Sequence, residues 1–452
     1  MLTHPILSDL AHSGIRLGLQ NLSEFLKDIG QENLNIPCIH VAGTNGKGSV
    51  CRMLESVYLQ AGYKVGLYTS PHLQHINERI RLNGSDISDA DLDALLKELF
   101  FQSQEWATLQ ELPNESPLTY FEMMTAAAFV AFQRANLDIV ILEVGLGGRL
   151  DATNIVQPCM TAITSISLDH MDVLGSDLSS IATEKAGIIK SGVPVVLGMM
   201  DVEAKRAIRL IADSKQSQIY QQGEDFFITE SKENGLVWNN KQHRLDNIVL
   251  SLLGTHQQNN AALVVMIVQL LLETFSVSIQ ALYQGLKKAT NPGRLEWLAP
   301  NILLDCAHNP AGAEQLDAYL KEFKRQNPDI EIDLLLGVSH DKDIHGVSIV
   351  LSNQVDRVFC THCSHPRAMN SSDLLQSLHL DIPVEDIGDV QNAFSRLEQF
   401  EQPYLDNQLL ANQLLGNRLL VIAGSIFLVG AVRDLWSQKQ PIQKDWSFNI
   451  GP

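Results

Sequence analysis

One stretch limits what this chain can fold into: residues 36–61, IPCIHVAGTNGKGSVCRMLESVYLQA. Ile36 to Ala42 is a short apolar run that reads as a buried strand. A loop follows, Gly43-Thr44-Asn45-Gly46-Lys47-Gly48-Ser49. Val50, Leu54, Val57, Tyr58 and Ala61 then recur at helical spacing. Strand, glycine-rich loop and helix are the parts of a phosphate cradle. Glycines let backbone N–H groups curl around an anion, the helix N-terminus adds positive dipole, and Lys47 adds a full charge. The usual P-loop pattern is G-x-x-x-x-G-K-[ST]. This loop departs from it twice: Val41 stands at the first glycine, and Gly48 delays the hydroxyl to Ser49. A chance glycine-rich turn is the bland alternative. The ordered run of strand, lysine, hydroxyl and helix favours a nucleoside triphosphate, with ATP the first choice.

A chain of 452 residues is long for one core, so two or three domains are expected. A net charge of −19 argues against a nucleic-acid partner, which needs a basic patch. The N-terminus lacks a charged region followed by an apolar one, so no signal peptide is expected. The longest apolar stretch, Leu263 to Leu272, is too short to span a bilayer. The six cysteines are scattered and read as reduced thiols. A cytoplasmic protein with no membrane partner follows. With no exposed apolar helix stripe evident, a monomer is expected.

Residues 1–35 read as helices, and Lys64 to Thr69 as a strand running into Ser70-Pro71-His72-Leu73. Residues 86–111 read as an amphipathic surface helix, and Thr119 to Phe132 as an apolar one. Asp138 to Val144 and Thr161 to Ser167 are continuous apolar runs that suit parallel strands buried on both faces. A helix over 177–190, capped by Asp177, and a strand from Val193 to Gly198 come next. Residues 218–247 read as a hairpin or small antiparallel sheet, and Asn259 to Phe275 as a helix. Asn291-Pro292-Gly293-Arg294 reads as a linker. Strand-helix alternation then restarts, with strands at Asn301–Ala307, Asp333–Val338, Arg357–Thr361 and Leu419–Gly424. The fold class is therefore α/β, with a mostly parallel P-loop sheet domain over residues 1–293 and a smaller Rossmann-like domain over 294–452.

Glu143 ends a buried strand, at the edge where open α/β sheets bind ligands. A carboxylate there is placed to hold Mg²⁺ on phosphates; a locally paired strand-end glutamate is the alternative. The following GLGGRLDATN offers glycines for close approach and Arg149 and Asp151 for recognition. His170 follows another strand at the same edge, and is either a structural histidine or a metal ligand beside Glu143 in the sheet. Lys185 shares a helix face with Ile181 and Ile188. Either it snorkels outward, or burial lowers its pKa. A neutral amine can take up CO2 as a carbamate and become an oxygen ligand. Cys360-x-x-Cys363 invites a zinc reading, but no second cysteine pair stands at suitable spacing; a strand cysteine and a loop cysteine are expected. The acidic run Leu380 to Asp389 reads as solvated surface.

GTNGKGS (43–49), TSPHL (69–73), LTYFE (118–122), LEVGLGGRLDATN (142–154), SLDHMDVLG (167–175), IATEKAGIIK (181–190), NPGR (291–294), LDCAHNP (304–310) and AGS (423–425) occur in order across nearly the whole chain. Together they resemble the folylpolyglutamate synthase/dihydrofolate synthase family of the Mur-ligase superfamily, whose loop shares the delayed hydroxyl at Ser49. The resemblance implies that Thr44, Asn45, Gly46, Lys47, Gly48 and Ser49 bind ATP phosphates. Two Mg²⁺ ions are implied on Ser70, Glu143 and His170, with Lys185 as the carbamylated lysine. Asn260, Arg294, Asp305 and His308 match nucleotide contacts, and binding by both domains implies closure over the substrates. Thr119, Leu150, Asp151 and Ala152 match the pterin side. Implied substrates are dihydropteroate, reduced folates and L-glutamate, and LTYFE is similar to the bifunctional bacterial members. An enzyme that only extends polyglutamates is the nearest rival. A muramyl ligase fits GLGGRLDATN poorly, and a P-loop switch has no need of Lys185 or His170.

Overall fold

The structure is a computed structural model and describes residues 4–10, 16, 18–31, 35–111, 117–401 and 418–439. It divides into two units: Met1–Ser251 with His256–Thr290, and Leu252–Thr255 with Asn291–Pro452.

The first unit is built on an eight-stranded sheet. Its strands are β1 (Cys38–Ala42), β2 (Val65–Tyr68), β3 (Ile80–Leu82), β4 (Ser85–Asp86), β5 (Ile139–Glu143), β6 (Met160–Ile163), β7 (Val195–Leu197) and β8 (Ile219–Gln221). They lie in the order β4-β3-β2-β5-β1-β6-β7-β8. The six from β2 to β8 are parallel, and β3 and β4 add an antiparallel edge. Every residue of β1, β2, β5, β6 and β7 is buried, the pattern that continuous apolar runs predict for strands covered on both faces. One apolar cluster gathers Val140, Leu142, Phe129 and Trp106, and another gathers Ala42, Ile163, Leu197 and Ile208.

The register corrects one expectation. Glu143 pairs with Val41 of β1, so it stands directly beside the glycine loop. The strand that leads to His170 is β6, on the other side of β1. Glu143 and His170 are thus separated by one strand and are not sheet neighbours.

Helix Tyr120–Arg134 starts with a capping box: Thr119 accepts from the Glu122 N–H and Glu122 accepts from the Thr119 N–H. Asp177 caps helix Leu178–Ala186 by accepting from the Ser180 N–H. That helix stops at Ala186, short of the expected 190, and Gly187 is its C-cap. A β-carbon at Gly187 would come within 2.3 Å of Arg149, so the chain here is pressed against the glycine-rich turn after β5. Helix Asp89–Leu109 is more than a solvated surface, since Leu92, Leu95, Leu96, Leu99 and Trp106 pack into the core. The region expected as a small antiparallel sheet divides in two. β8 joins the main sheet in parallel, while β9 (Phe226–Ser231), β10 (Gly235–Asn240) and β11 (Arg244–Ile248) form a three-stranded antiparallel sheet.

The second unit carries a six-stranded sheet with the order β12-β13-β17-β14-β15-β16. Its strands are β12 (Glu296–Ala299), β13 (Ile302–Leu304), β14 (Glu331–Leu336), β15 (Arg357–His362), β16 (Val384–Asp389) and β17 (Arg418–Ala423). All pairings are parallel except β12 with β13. β16 was expected as solvated surface. It is an edge strand with Glu385, Asp386 and Asp389 exposed, and charge on an edge discourages pairing with other chains. Leu316, Phe323, Leu334, Val358, Leu374 and Val421 belong to one core.

Candidate active site

Residues 43–49 join β1 to helix Lys47–Gln60, with Gly46 as its N-cap at φ 88°. The loop is stitched to the exit of β6. Thr44 N–H donates to Ser165 O at 2.7 Å, and Asn45 N–H to Ser165 Oγ at 3.2 Å. Thr44 Oγ1 donates to Ser167 O and accepts from Ser167 N–H, each at 3.1 Å. The approach is close enough to demand glycine. A β-carbon at Gly43 would lie 1.9 Å from Thr164 Oγ1, and one at Gly46 would lie 2.6 Å from Asn260 Oδ1.

From the far side, helix Thr255–Leu270 presents two buried amides. Gln257 Nε2 donates to Ser49 Oγ at 3.1 Å, and Asn260 Nδ2 donates to Gln257 Oε1 at 2.9 Å. The hydroxyl that is one place late in the motif is therefore held by a partner that the motif does not include.

Two lysines meet at one carbonyl. Lys47 Nζ donates to Gly43 O at 2.9 Å and to Thr44 O at 3.1 Å. Lys185 Nζ donates to the same Gly43 O at 2.9 Å. Lys185 is 5 % exposed, so the snorkelling alternative is excluded. Burial, then the charge of Lys47, push its pKa down to about 7, against a smaller pull upward from Asp169 and Asp151. The amine is thus available in neutral form near neutral pH.

Glu143 is buried, and its Oε2 accepts from the Ser70 N–H at 3.1 Å. These two expected ligands are brought together. His170 sits at φ 50° as the N-cap of the short helix Met171–Leu174, with its side chain 39 % exposed and Nε2 3.9 Å from Asp169. Among the described residues no three His, Cys, Asp or Glu side chains are grouped to hold a metal. The expected set supplies only two of these types; its other members are a serine and a lysine that must first become a carbamate.

Of the residues matched to the pterin side, Thr119 is buried and its Oγ1 donates to Glu122 Oε2 at 2.8 Å. Asp151 is buried and fully engaged within its own loop. Its carboxylate accepts from Gly145 N–H at 3.0 Å, Leu146 N–H at 2.8 Å, Thr153 N–H at 3.0 Å and the Thr153 hydroxyl. Burial pushes its pKa up against these donors. Leu150 is half-buried and Ala152 buried, at the start of a turn over Ala152–Ile155.

In the second unit, the buried Asp305 accepts from Leu295 N–H at 2.9 Å and Ala307 N–H at 2.8 Å. Burial raises its pKa, and Arg294 opposes the rise. His308 Nδ1 lies 2.8 Å from Cys306 O; a carbonyl can only accept, so that nitrogen carries the proton. Cys360 and Cys363 are free and buried, and burial raises both thiols, to about 12 and about 11. They are the strand and loop cysteines that the spacing favoured over a zinc pair.

Sequence reasoning missed Thr164, Ser165, Gln257 and Asp169. Thr164 and Ser165 were within reach of it, since they leave the strand expected near the loop. Gln257 gave no signal, being one amide in a polar run.

The residues fit a phosphate chain: two glycines leave room for nothing but backbone, a helix begins there, and an ammonium lies at its first turn. Glu143 and Ser70 offer oxygen donors of the kind that suit Mg²⁺.

A parallel sheet with this cradle, a strand-end carboxylate beside it and a buried lysine at the loop defines an ATP-dependent ligase of the Mur type. Residues 41–268 match the Mur ligase middle domain, and residues 295–435 match the dihydrofolate synthetase C-terminal domain. The dihydrofolate synthase/folylpolyglutamate synthase of Escherichia coli K12 is 36% identical over 374 residues, covering 82% of this chain and 84% of the relative. The solved structure of E. coli FolC in complex with DHPP and ADP superposes with a TM-score of 0.83 at 32% identity, covering 96% of this chain and 98% of that one. The bifunctional enzyme of Yersinia pestis, complexed with AMPPNP and Mn ion, gives 0.80 at 31% identity, covering 96% and 98%. The chain belongs to the dihydrofolate synthase/folylpolyglutamate synthase family. No helix among the described residues is long and apolar enough to cross a membrane.

Proposed function

We propose that the chain joins L-glutamate, through its amino group, to the carboxylate of dihydropteroate, forming dihydrofolate. It also extends the glutamate tail of reduced folates, and ATP is converted to ADP and phosphate. The observation that carries this reading is the meeting of Lys47 and the buried Lys185 at the Gly43 carbonyl, beside Glu143.

A carboxylate is a poor acyl donor. Its oxygen takes the γ-phosphoryl of ATP, and the glutamate amine then attacks the acyl carbon and expels phosphate. No nucleophilic side chain is required. Residues Thr44 to Ser49 bind the phosphates through backbone N–H groups, and Lys47 counters the charge on the phosphoryl as it moves. Lys47 now rests on two neutral carbonyls, and a phosphate oxygen is the stronger acceptor. Neutral Lys185 takes CO2 at Nζ, loses a proton and becomes a carbamate. Ser70, Glu143, His170 and that carbamate would hold two Mg²⁺ ions, which would supply charge neutralisation and orientation of the reacting groups. Asn260, Arg294, Asp305 and His308 contact the nucleotide. Thr119, Leu150, Asp151 and Ala152 line the acceptor side. The protein works as a cytoplasmic monomer on small molecules, without nucleic-acid or membrane partners.

The acyl-phosphate step is tested with dihydropteroate labelled with heavy oxygen in its carboxylate. One label is expected in the released phosphate. Unlabelled phosphate alongside amide product excludes the step.

A further inference from the structure

His40 stands in the middle of β1, fully buried, and the chemistry above makes no use of it. Its Nε2 lies 2.8 Å from Thr153 Oγ1. The Thr153 hydroxyl in turn contacts Asp151 Oδ1. This order fixes the protons. Three backbone N–H groups already donate to the two Asp151 oxygens, so the carboxyl group acts as the acceptor here and the single hydroxyl proton of Thr153 points at it. The hydroxyl oxygen must therefore accept from His40, and the ring is the Nε2–H tautomer. Nδ1 is left bare, and it is a buried atom with no hydrogen-bond partner. Burial, with the charge of Lys190, keeps the ring neutral by lowering its pKa to about 3. Beyond Asp151 the chain of bonds continues to the Gly145 and Leu146 N–H groups, immediately after β5.

We propose that His40 is a positioning residue for the acceptor: its Nε2–H, through the Thr153 hydroxyl and the Asp151 carboxylate, fixes the shape of segment 145–152. This rests on the reading of Leu150, Asp151 and Ala152 as the acceptor side. A strand residue on the rigid centre of the sheet thereby sets the conformation of a loop one strand away. Burying a histidine with an unpaired nitrogen costs stability, and an aliphatic residue at a strand centre would avoid that cost. The hydrogen bond to Thr153 is what the histidine adds.

The test uses the full chain and five variants: His40→Leu removes the donor, His40→Gln keeps an N–H near the position of Nε2, Thr153→Val breaks the next link, and a double variant combines His40→Leu with Thr153→Val. Asp151→Asn serves as control. With ATP and L-glutamate saturating, His40→Leu and Thr153→Val each raise the KM for dihydropteroate roughly tenfold, the scale of one buried donor or acceptor left unmade. The double variant does no worse than either alone. His40→Gln recovers most of the loss, and affinity for a non-hydrolysable ATP analogue is unchanged throughout. A fall in melting temperature with an unchanged acceptor KM overturns the proposal, as does a parallel loss of nucleotide affinity or a failure of Gln to rescue. If His40→Leu does not fold, Thr153→Val carries the test with the ring in place. Ring nitrogen NMR reads the relay independently of any substrate: the Nε2–H signal of His40 shifts in Thr153→Val. If it shifts while Asp151→Asn leaves the acceptor KM untouched, the relay stands, but the acceptor-side reading fails and the proposal with it. If it does not shift, the relay itself is wrong.

Discussion

Replacing Gly46 by alanine perturbs the loop at its tightest point. The residue sits at φ 88°, where a β-carbon costs about 1–2 kcal/mol. That β-carbon would also lie 2.6 Å from Asn260 Oδ1. Asn260 is 8 % exposed and bonded to Gln257, so moving it breaks that bond for about a further 1 kcal/mol. The sum, about 2–3 kcal/mol, lowers the melting temperature of the first unit by roughly 3–5 °C, because a unit of this length unfolds with a large entropy change. Binding falls as well, because a changed φ re-aims the N–H groups at the start of helix Lys47–Gln60. Loss of one charge-assisted hydrogen bond weakens binding about tenfold. The assay is thermal unfolding with and without a non-hydrolysable ATP analogue, with calorimetric titration of the same analogue. Adding Asn260→Ala removes the collision and returns part of the stability, leaving the backbone cost. A Gly46→Ala protein that melts and binds the analogue like the parent refutes both the strain argument and the cradle.

Lys185→Ala is expected to abolish turnover, with millimolar acetate or another short carboxylate partly restoring it; full activity in the variant rejects the carbamate role. His40 gives a pH signature: its folded pKa of about 3 lies below its ordinary 6.5, so between these values the unfolded chain binds the extra proton and acid destabilises the fold. That contribution, at most on the order of 4–5 kcal/mol, is lost progressively as pH falls from 6.5 to about 3 and is missing in His40→Gln, as denaturant titration across that range reads. Any change in melting temperature on adding zinc to the metal-free protein is expected to be the same in Cys363→Ser as in the parent, and a rise abolished by Cys363→Ser contradicts the free-thiol assignment.

In the first unit β3 and β4, short and partly exposed, gave no strand signal, but β1, β2, β5, β6 and β7 were legible because they are apolar runs buried on both faces, as in Ile139–Glu143 and Cys38–Ala42. Strand order was not, because it is fixed by crossovers between distant segments. That is why His170 was expected beside Glu143 when β1 lies between them. β12 escaped notice as a short strand close after the linker. β16 escaped because its edge position lets it carry Glu385, Asp386 and Asp389 in place of apolar residues. At the site, Lys185 could be singled out from its apolar helix face, yet the face alone left two readings open. Burial and the shared Gly43 carbonyl close that choice. Gln257 and His40 were invisible, since each acts through a partner more than a hundred residues away, Ser49 and Thr153.

The most direct measurement is ADP release with ATP and L-glutamate, comparing dihydropteroate, tetrahydrofolate and no acceptor. Release is expected with either acceptor, matched by amide product, and none without one. ADP released at the same rate in the absence of acceptor or of glutamate contradicts this expectation.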